Sequence, residues 1–254
     1  MITSDLILSK ARSSGMCIGI GAGADERKVI ESREEAIAQG FGDVIVYHDP
    51  LLLAQDLLSG EIDAAVRGDL GSNQAMSAVR SVFGVHKVLR AAFLEPVGGR
   101  MFLFSPVGID EGWTVEEKIE LAELSVRTLL PITSRPVVGI MSGGRSSDRG
   151  RMAEVDRTID TAAEVVRRLT SEGIDARDVQ ILIEDASKEC DVLVAPDGIS
   201  GNLVFRTLHF LGNGKALGAP VLNIDRPYID TSRAKASYAD SIALAAVLAA
   251  RKMA

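Results

Sequence analysis

The sequence predicts an α/β fold with mostly parallel sheets, and three observations carry that reading. Short β-branched runs such as Asp43–Tyr47 and Val192–Ala195 alternate with segments of helical periodicity, the pattern of βαβ units. Hydrophobic residues make up 46% of the 254 residues but aromatics only 4%, so the core must be aliphatic, as in parallel strands buried on both faces. Polar turns follow several of the apolar runs, which is where an open α/β sheet places its ligand crevice.

The elements follow in order. Residues 3–13 read as a helix capped by Thr3 or Ser4, with Leu6, Ile7 and Ala11 as its apolar face. Met16–Ile20 is a strand, and a helix runs from Asp25 to about Gln39. Asp43–Tyr47 leads to a helix opened by Pro50 and running to Leu58. Ile62–Val66 is a strand, followed by the polar loop Arg67–Asn73 and a helix to about Phe83. Two strands, Val88–Phe93 and Met101–Phe104, flank the turn-rich Glu95–Gly99 and suggest a hairpin.

Thr114 with Glu117 three residues on forms a capping box for a helix whose face is Ile119, Ala122, Val126 and Leu129. Val137–Met141 is a strand. The next helix places Val155, Ile159, Ala162, Val166 and Leu169 on one side. Val179–Ile183 and Val192–Ala195 read as strands. Ser200-Gly201-Asn202 opens a helix with Leu203, Phe205, Leu208 and Leu211 apolar. Val221–Ile224 is a further strand, and the last helix starts near Tyr238. The texture changes near His86, the one internal sign of a domain boundary.

Several function classes are disfavoured. A net charge of −7 argues against a general nucleic-acid binder. Cys17 and Cys190 form no C-x-x-C pair and read as free thiols of a reducing cytoplasm, with a disulfide as the alternative. His48, His86 and His209 lack ligand spacing, so no metal site is expected. Asp5 and Lys10 interrupt the first apolar run, which excludes a signal peptide, and no run reaches membrane-spanning length. The expectation is a cytoplasmic protein with no membrane and no nucleic-acid partner.

Three constellations could carry chemistry. Gly19-Ile20-Gly21-Ala22-Gly23-Ala24 fits G-x-G-x-x-A between strand and helix. It would suit a dinucleotide, with Asp49 as the acid on the next strand, or simply a tight turn. Asp25 and Glu26 oppose a phosphate there. Gly143, Gly144, Arg145, Ser146 and Ser147 combine glycine freedom, hydroxyls and a cation before a helix. That set suits a phosphate or a solvated loop. Ser232, Arg233 and Asp240 could orient an oxyanion and accept a proton, or be an ordinary helix entry with a solvated Arg.

CDVLVAPDGISGNLVFRTL followed by GAPVLNIDRPYIDTSRAKASYADSIALAAVLAA resembles the carboxyl-terminal half of the phosphate acetyl/butyryltransferases. The Pro196-Asp197 turn and the Gly201-Asn202 helix opening are similar to that family and to the phosphate:acyl-ACP acyltransferases. GADERKVIESREEA and GEIDAAVRGD resemble its amino-terminal segments. Taken whole, the chain looks most like the archaeal MtxX group, methanogenesis marker protein 4, which carries a methyltransferase label.

The resemblance implies a two-domain isocitrate dehydrogenase-like and phosphotransacetylase-like fold with an interdomain cleft. Residues 1–85 and 220–254 would form the first α/β domain and 86–219 the second. It implies Ser232, Arg233 and Asp240 as catalytic residues. Arg80, Gly143, Gly144, Arg145, Ser146, Asp197, Gly201 and Asn202 would bind phosphate or cofactor. Coenzyme A is then a substrate, no cofactor is required, and the partner is a small anionic or phosphorylated ligand, with a homodimer left open. A methyltransferase, or a non-catalytic ligand-binding partner of a methanogenic methyl-transfer system, is the alternative.

The sequence also departs from the transferase pattern. One extra residue separates Ser232-Arg233 from Asp240, Ala234-Lys235 replaces a Gly-Cys pair, and Gly68–Asn73 lacks the usual His-Thr or His-Ser start. No S-adenosylmethionine motif stands out beyond the first glycine cluster.

Overall fold

The structure, a computed structural model, describes residues 2–130 and 132–250. Its α/β chain divides into two compact units, one of Ser4–Val88 with residues 217–250, the other of Leu89–Ala216 with residues 2–3. We call them the terminal and the middle unit.

The terminal unit begins with helix α1 (Ser4–Ala11) and then β1 (Cys17–Gly21), α2 (Glu26–Ala38), β2 (Asp43–Tyr47), α3 (Pro50–Ser59), β3 (Ala64–Val66) and α4 (Ser72–Phe83). Each helix start has a local cause. Asp25 caps α2 by accepting from the Lys28 amide, and Asp49 caps α3 by accepting from Leu51, with Pro50 in the first turn. Glycines in the left-handed region, Gly60 and Gly84, end α3 and α4.

β1 pairs in parallel with β2 and β3, and β3 with β10 (Tyr228–Asp230). β9 (Lys215–Pro220) lies antiparallel to β10. Leu53, Leu57, Ile62, Val79 and Tyr228 form one core cluster here. The last helix, α9 (Ala239–Ala250), is buried almost all round, because its small alanines let it lie close against α1, α2 and β3.

In the middle unit β4 (Ala92–Glu95) and β5 (Phe102–Ser105) form the expected antiparallel hairpin. β5, β8 (Val192–Val194), β6 (Val138–Met141) and β7 (Ala176–Gln180) continue in parallel. The helices are α5 (Val115–Leu129), α6 (Ala153–Ser171), α7 (Ile183–Glu189) and α8 (Gly198–Arg206). Thr114 Oγ1 accepts from the Glu117 amide, and the Glu117 carboxylate accepts from Trp113 N, so the box closes one residue early.

Three sequence expectations are corrected. Val179–Ile183 is not the strand; the strand is β7, at the end of the ladder, where Arg177 and Asp178 face solvent and no apolar run is needed. Val221–Ile224 is a connection between β9 and β10, closed by Val221 N donating to Tyr228 O at 2.8 Å. Its Val221 and Leu222 are buried all the same, which is why it reads as a strand. Helix α8 starts at Gly198 and passes into a π turn at Thr207–Leu211, leaving Leu203 and Leu211 exposed rather than on the core side.

Both cysteines are free. Burial pushes the Cys190 thiol up to about 11, and the thiolate is the reacting species. Native protein at neutral pH should therefore leave Cys190 unalkylated by iodoacetamide, while the urea-unfolded chain reacts at both cysteines. Mass spectrometry of labelled peptides checks this, and rapid native labelling of Cys190 would contradict the packing described.

Candidate active site

Because β1, β3 and β10 run in parallel, their carboxyl ends lie on one edge of the terminal unit's sheet. Three loops meet there: residues 22–25, 67–71 and 231–238. Their polar groups are organised around two carboxylates, the buried Asp69 and the half-buried Asp230. Asp69 accepts from the Gly23 amide at 2.5 Å and the Asp25 amide at 2.6 Å. Asp230 accepts from the buried Arg67 guanidinium, which also donates to Leu70 O at 2.6 Å. Thr231 ties the second and third loops together by donating to Gly68 O at 2.7 Å.

This arrangement settles the first glycine cluster as a turn. The two amides that an incoming phosphate would use already bind the chain's own Asp69 carboxylate. Asp49, the acid that a dinucleotide reading requires, is the cap of α3. The glycines serve close approach instead. A Cβ at Gly68, where φ is +59°, would lie 2.0 Å from Gly21 O.

Gly68→Ala should therefore cost ~1–3 kcal/mol, the range for strained backbone. Gly84→Ala, at φ +67° with nothing within 4 Å, shares the backbone strain but not the collision and should cost less. Urea denaturation midpoints compare the two, and equal losses would show that the collision is relieved.

Ser232, Arg233 and Asp240 all lie on this side, after β10 and at the start of α9. The segment 232–238 is held by α2. Lys28 Nζ donates to Arg233 O at 2.9 Å and sits 5.1 Å from the centre of the Tyr238 ring. Ser32 Oγ accepts from the Tyr238 amide at 2.9 Å, and Ser237 donates to Glu35 at 2.7 Å. The segment GADERKVIESREEA thus positions the loop that carries the Ser-Arg pair.

Ser232 Oγ accepts from the Ala234 amide at 3.2 Å, which closes a turn and leaves its own proton to donate. The Arg233 side chain is exposed and none of the described residues bonds its guanidinium. Asp240 Oδ1 accepts from Lys235 Nζ at 2.5 Å, with the Lys235 side chain 8% exposed. Lys235 thus supplies a buried ammonium that fixes one carboxylate oxygen.

The remaining sequence-predicted residues are dispersed. Arg80 is exposed on α4, ~12 Å along the helix from its start at 1.5 Å per residue, and no bond joins it to Ser232 or Arg233. Gly143, Gly144, Arg145 and Ser146 belong to the middle unit. Their loop is closed on itself: Gly143 N donates to Thr158 Oγ1, Arg145 N to Asp148, and Ser146 N to Gln180. A single 3-10 turn at Ser146–Asp148 follows, and the next α-helix starts only at Ala153, so the loop is no α-helix N-terminal anion nest.

Asp197 caps α8 by accepting from Ser200 N at 2.8 Å. Asn202 donates to Val107 O at 2.7 Å, and a Cβ on Gly201 would meet Pro106 O at 2.1 Å. The Gly201-Asn202 pair thus serves as a packing joint. Among the described residues no group of three or more His, Cys, Asp or Glu is placed to hold a metal, and no helix is long and apolar enough to cross a membrane.

The α/β fold, with its mostly parallel sheet, resembles that of phosphotransacetylases. A branched-chain phosphotransacylase from Enterococcus faecalis superposes with a TM-score of 0.74 over 92% of this chain and 99% of that one, at 15% identity. A phosphate acetyltransferase of Corynebacterium glutamicum is 26% identical over 196 residues, 69% of this chain and 58% of that protein. No family model matches. "Putative methyltransferase mtx subunit X" of Methanosarcina mazei is 35% identical over 263 residues, spanning 96% of this chain and 94% of that one. The chain belongs to the MtxX family.

Proposed function

We propose that this protein is an acyl transferase that moves an acyl group between phosphate and a thiol such as coenzyme A. The observation that carries the reading is the exposed Arg233 guanidinium, which none of the described residues bonds, next to Ser232 in the sequence. It stands on a loop anchored by Lys28, with Asp240 at the start of the next helix. The thiol proton passes to Asp240 through Oδ2, the oxygen that Lys235 leaves open. The sulfur then attacks the carbonyl carbon of the acyl phosphate, and the C–O bond to phosphate breaks with its electron pair. Arg233 neutralises the developing oxyanion and the leaving phosphate, and Ser232 donates a hydrogen bond to it.

Arg80 is then a remote contact, suited to the phosphates of coenzyme A, which lie far from its thiol.

A second reading is a methyl-group transferase, or a non-catalytic partner of one, and it is favoured by the name of the relative at 35% identity. Against a nucleotide-borne methyl donor at the Gly19–Gly23 turn stands the Asp69 carboxylate, which holds the Gly23 and Asp25 amides. Mass spectrometry of ligand co-purifying with the protein separates the readings. Coenzyme A or an acyl phosphate supports acyl transfer, and a methyl donor supports the second.

A further inference from the structure

The middle unit holds a pocket of about 420 Å³ that the proposed chemistry does not use. Its size falls within the range of small-molecule sites. Trp113, Lys118, Arg157, Thr158, Thr161 and Asp197 line it. They come from the entry and first turn of α5, the second and third turns of α6, and the cap of α8.

The chemistry of the lining is specific. Lys118 is only 4% exposed and donates to Gly112 O at 2.6 Å. An ammonium has three N–H groups, so two remain for a ligand, and a buried ammonium without acceptors is costly. The Arg157 guanidinium has no bond to any described residue. Against these two cations stands one carboxylate, Asp197, whose Oδ1 is already taken by Ser200 N.

Thr158 is spent, since its hydroxyl accepts from Gly143 N and donates to Val155 O. The Thr161 hydroxyl is not. On the other wall Trp113 is half-exposed, and its indole N–H donates to Ile109 O at 3.0 Å. The indole therefore offers a flat apolar face and no donor.

We propose that this pocket binds an organic phosphate carrying a planar ring, the phosphate between Lys118, Arg157 and Thr161 and the ring against Trp113. Two cations and a hydroxyl lining one pocket suit a tetrahedral group with three acceptor oxygens, and aromatic stacking suits the indole face. The site lies within one unit and does not rest on the acyl-transfer reading.

Trp113 is the single tryptophan of the chain, so its emission reports on this pocket alone. The test titrates the full-length protein with adenosine monophosphate, adenosine and inorganic phosphate, following Trp113 fluorescence and the heat of binding. Adenosine monophosphate should saturate the signal, and adenosine and inorganic phosphate should each bind at least roughly tenfold more weakly. Arg157→Gln, at an exposed position, should keep the native circular dichroism spectrum and weaken adenosine monophosphate roughly 10- to 100-fold, the loss of a charge-assisted bond. Thr161→Val should weaken it by a smaller factor. No change of Trp113 emission at millimolar adenosine monophosphate, or equal affinity in wild type and Arg157→Gln, would overturn the proposal. Binding of adenosine as tight as that of its monophosphate would overturn the phosphate assignment.

Discussion

Replacing Arg233 by alanine should lower turnover of acetyl phosphate with coenzyme A by ~100- to 1000-fold, the usual cost of removing one preorganised donor to a developing oxyanion. The fold should not suffer, because the guanidinium is exposed and the loop is held through the Arg233 carbonyl by Lys28. Arg233→Lys should also be poor, since an ammonium cannot reproduce the planar two-pronged contact. Asp240→Asn should lower kcat with little change in phosphate affinity, because a base acts in the transition state. It leaves Lys235 an amide oxygen to bond, so the loop keeps its shape. Thioester absorbance measures the rates, and calorimetry with phosphate measures the ground state. Unchanged rates in both Arg233→Ala and Asp240→Asn would place the chemistry elsewhere.

Arg90→Met should cost ~3–5 kcal/mol of stability near neutral pH, the range for breaking a buried ion pair on one side. Glu111 is fully buried, and Arg90 donates to it from Nε at 2.8 Å, with a second guanidinium nitrogen at 2.7 Å. Burial raises the Glu111 carboxyl above its ordinary range, and Arg90 opposes that rise.

The sign of the pH effect follows. An acid whose folded pKa is raised binds its proton more tightly when folded. Its contribution to stability falls as pH rises from the ordinary carboxylate value through the raised one. Without Arg90 the rise is larger and the window wider. The Arg90→Met loss should therefore be greatest at about pH 8 and smaller at about pH 5, where Glu111 can take up a proton. Urea titrations at the two pH values read this, and a loss independent of pH would mean that packing, not the stranded charge, dominates.

Much of the architecture was legible because parallel α/β units write their period plainly. The alternation through residues 16–83, the hairpin around Glu95–Gly99 and the Thr114 cap all follow from local patterns. The errors have one physical source, which is that burial is not the same as strand. Val221 and Leu222 are buried in a connection, while β7 is a polar edge. On α6 the buried valine is Val165, with Val166 half-buried, a shift of one position that periodicity does not resolve.

The elements of the candidate site could be read in part from the sequence. Ser232, Arg233 and Asp240 stood out by motif, and the polar loops at Arg67–Asn73 and around Asp230 stood out by position after apolar runs. What the sequence did not disclose was pairing across distance. Arg67 with Asp230, Asp69 with Gly23 and Asp25, and Lys28 with Arg233 join positions far apart in the chain. Lys235 with Asp240 spans only five residues. It was hidden because a lysine beside an alanine at a helix entry reads as solvated.

Wild-type protein mixed with acetyl phosphate, and then with longer acyl phosphates, in the presence of coenzyme A tests the central claim most directly. Acyl transfer predicts thioester and inorganic phosphate formed one for one, with a rate that falls in Arg233→Ala. Folded protein that binds phosphate yet forms no thioester from any acyl phosphate would contradict it.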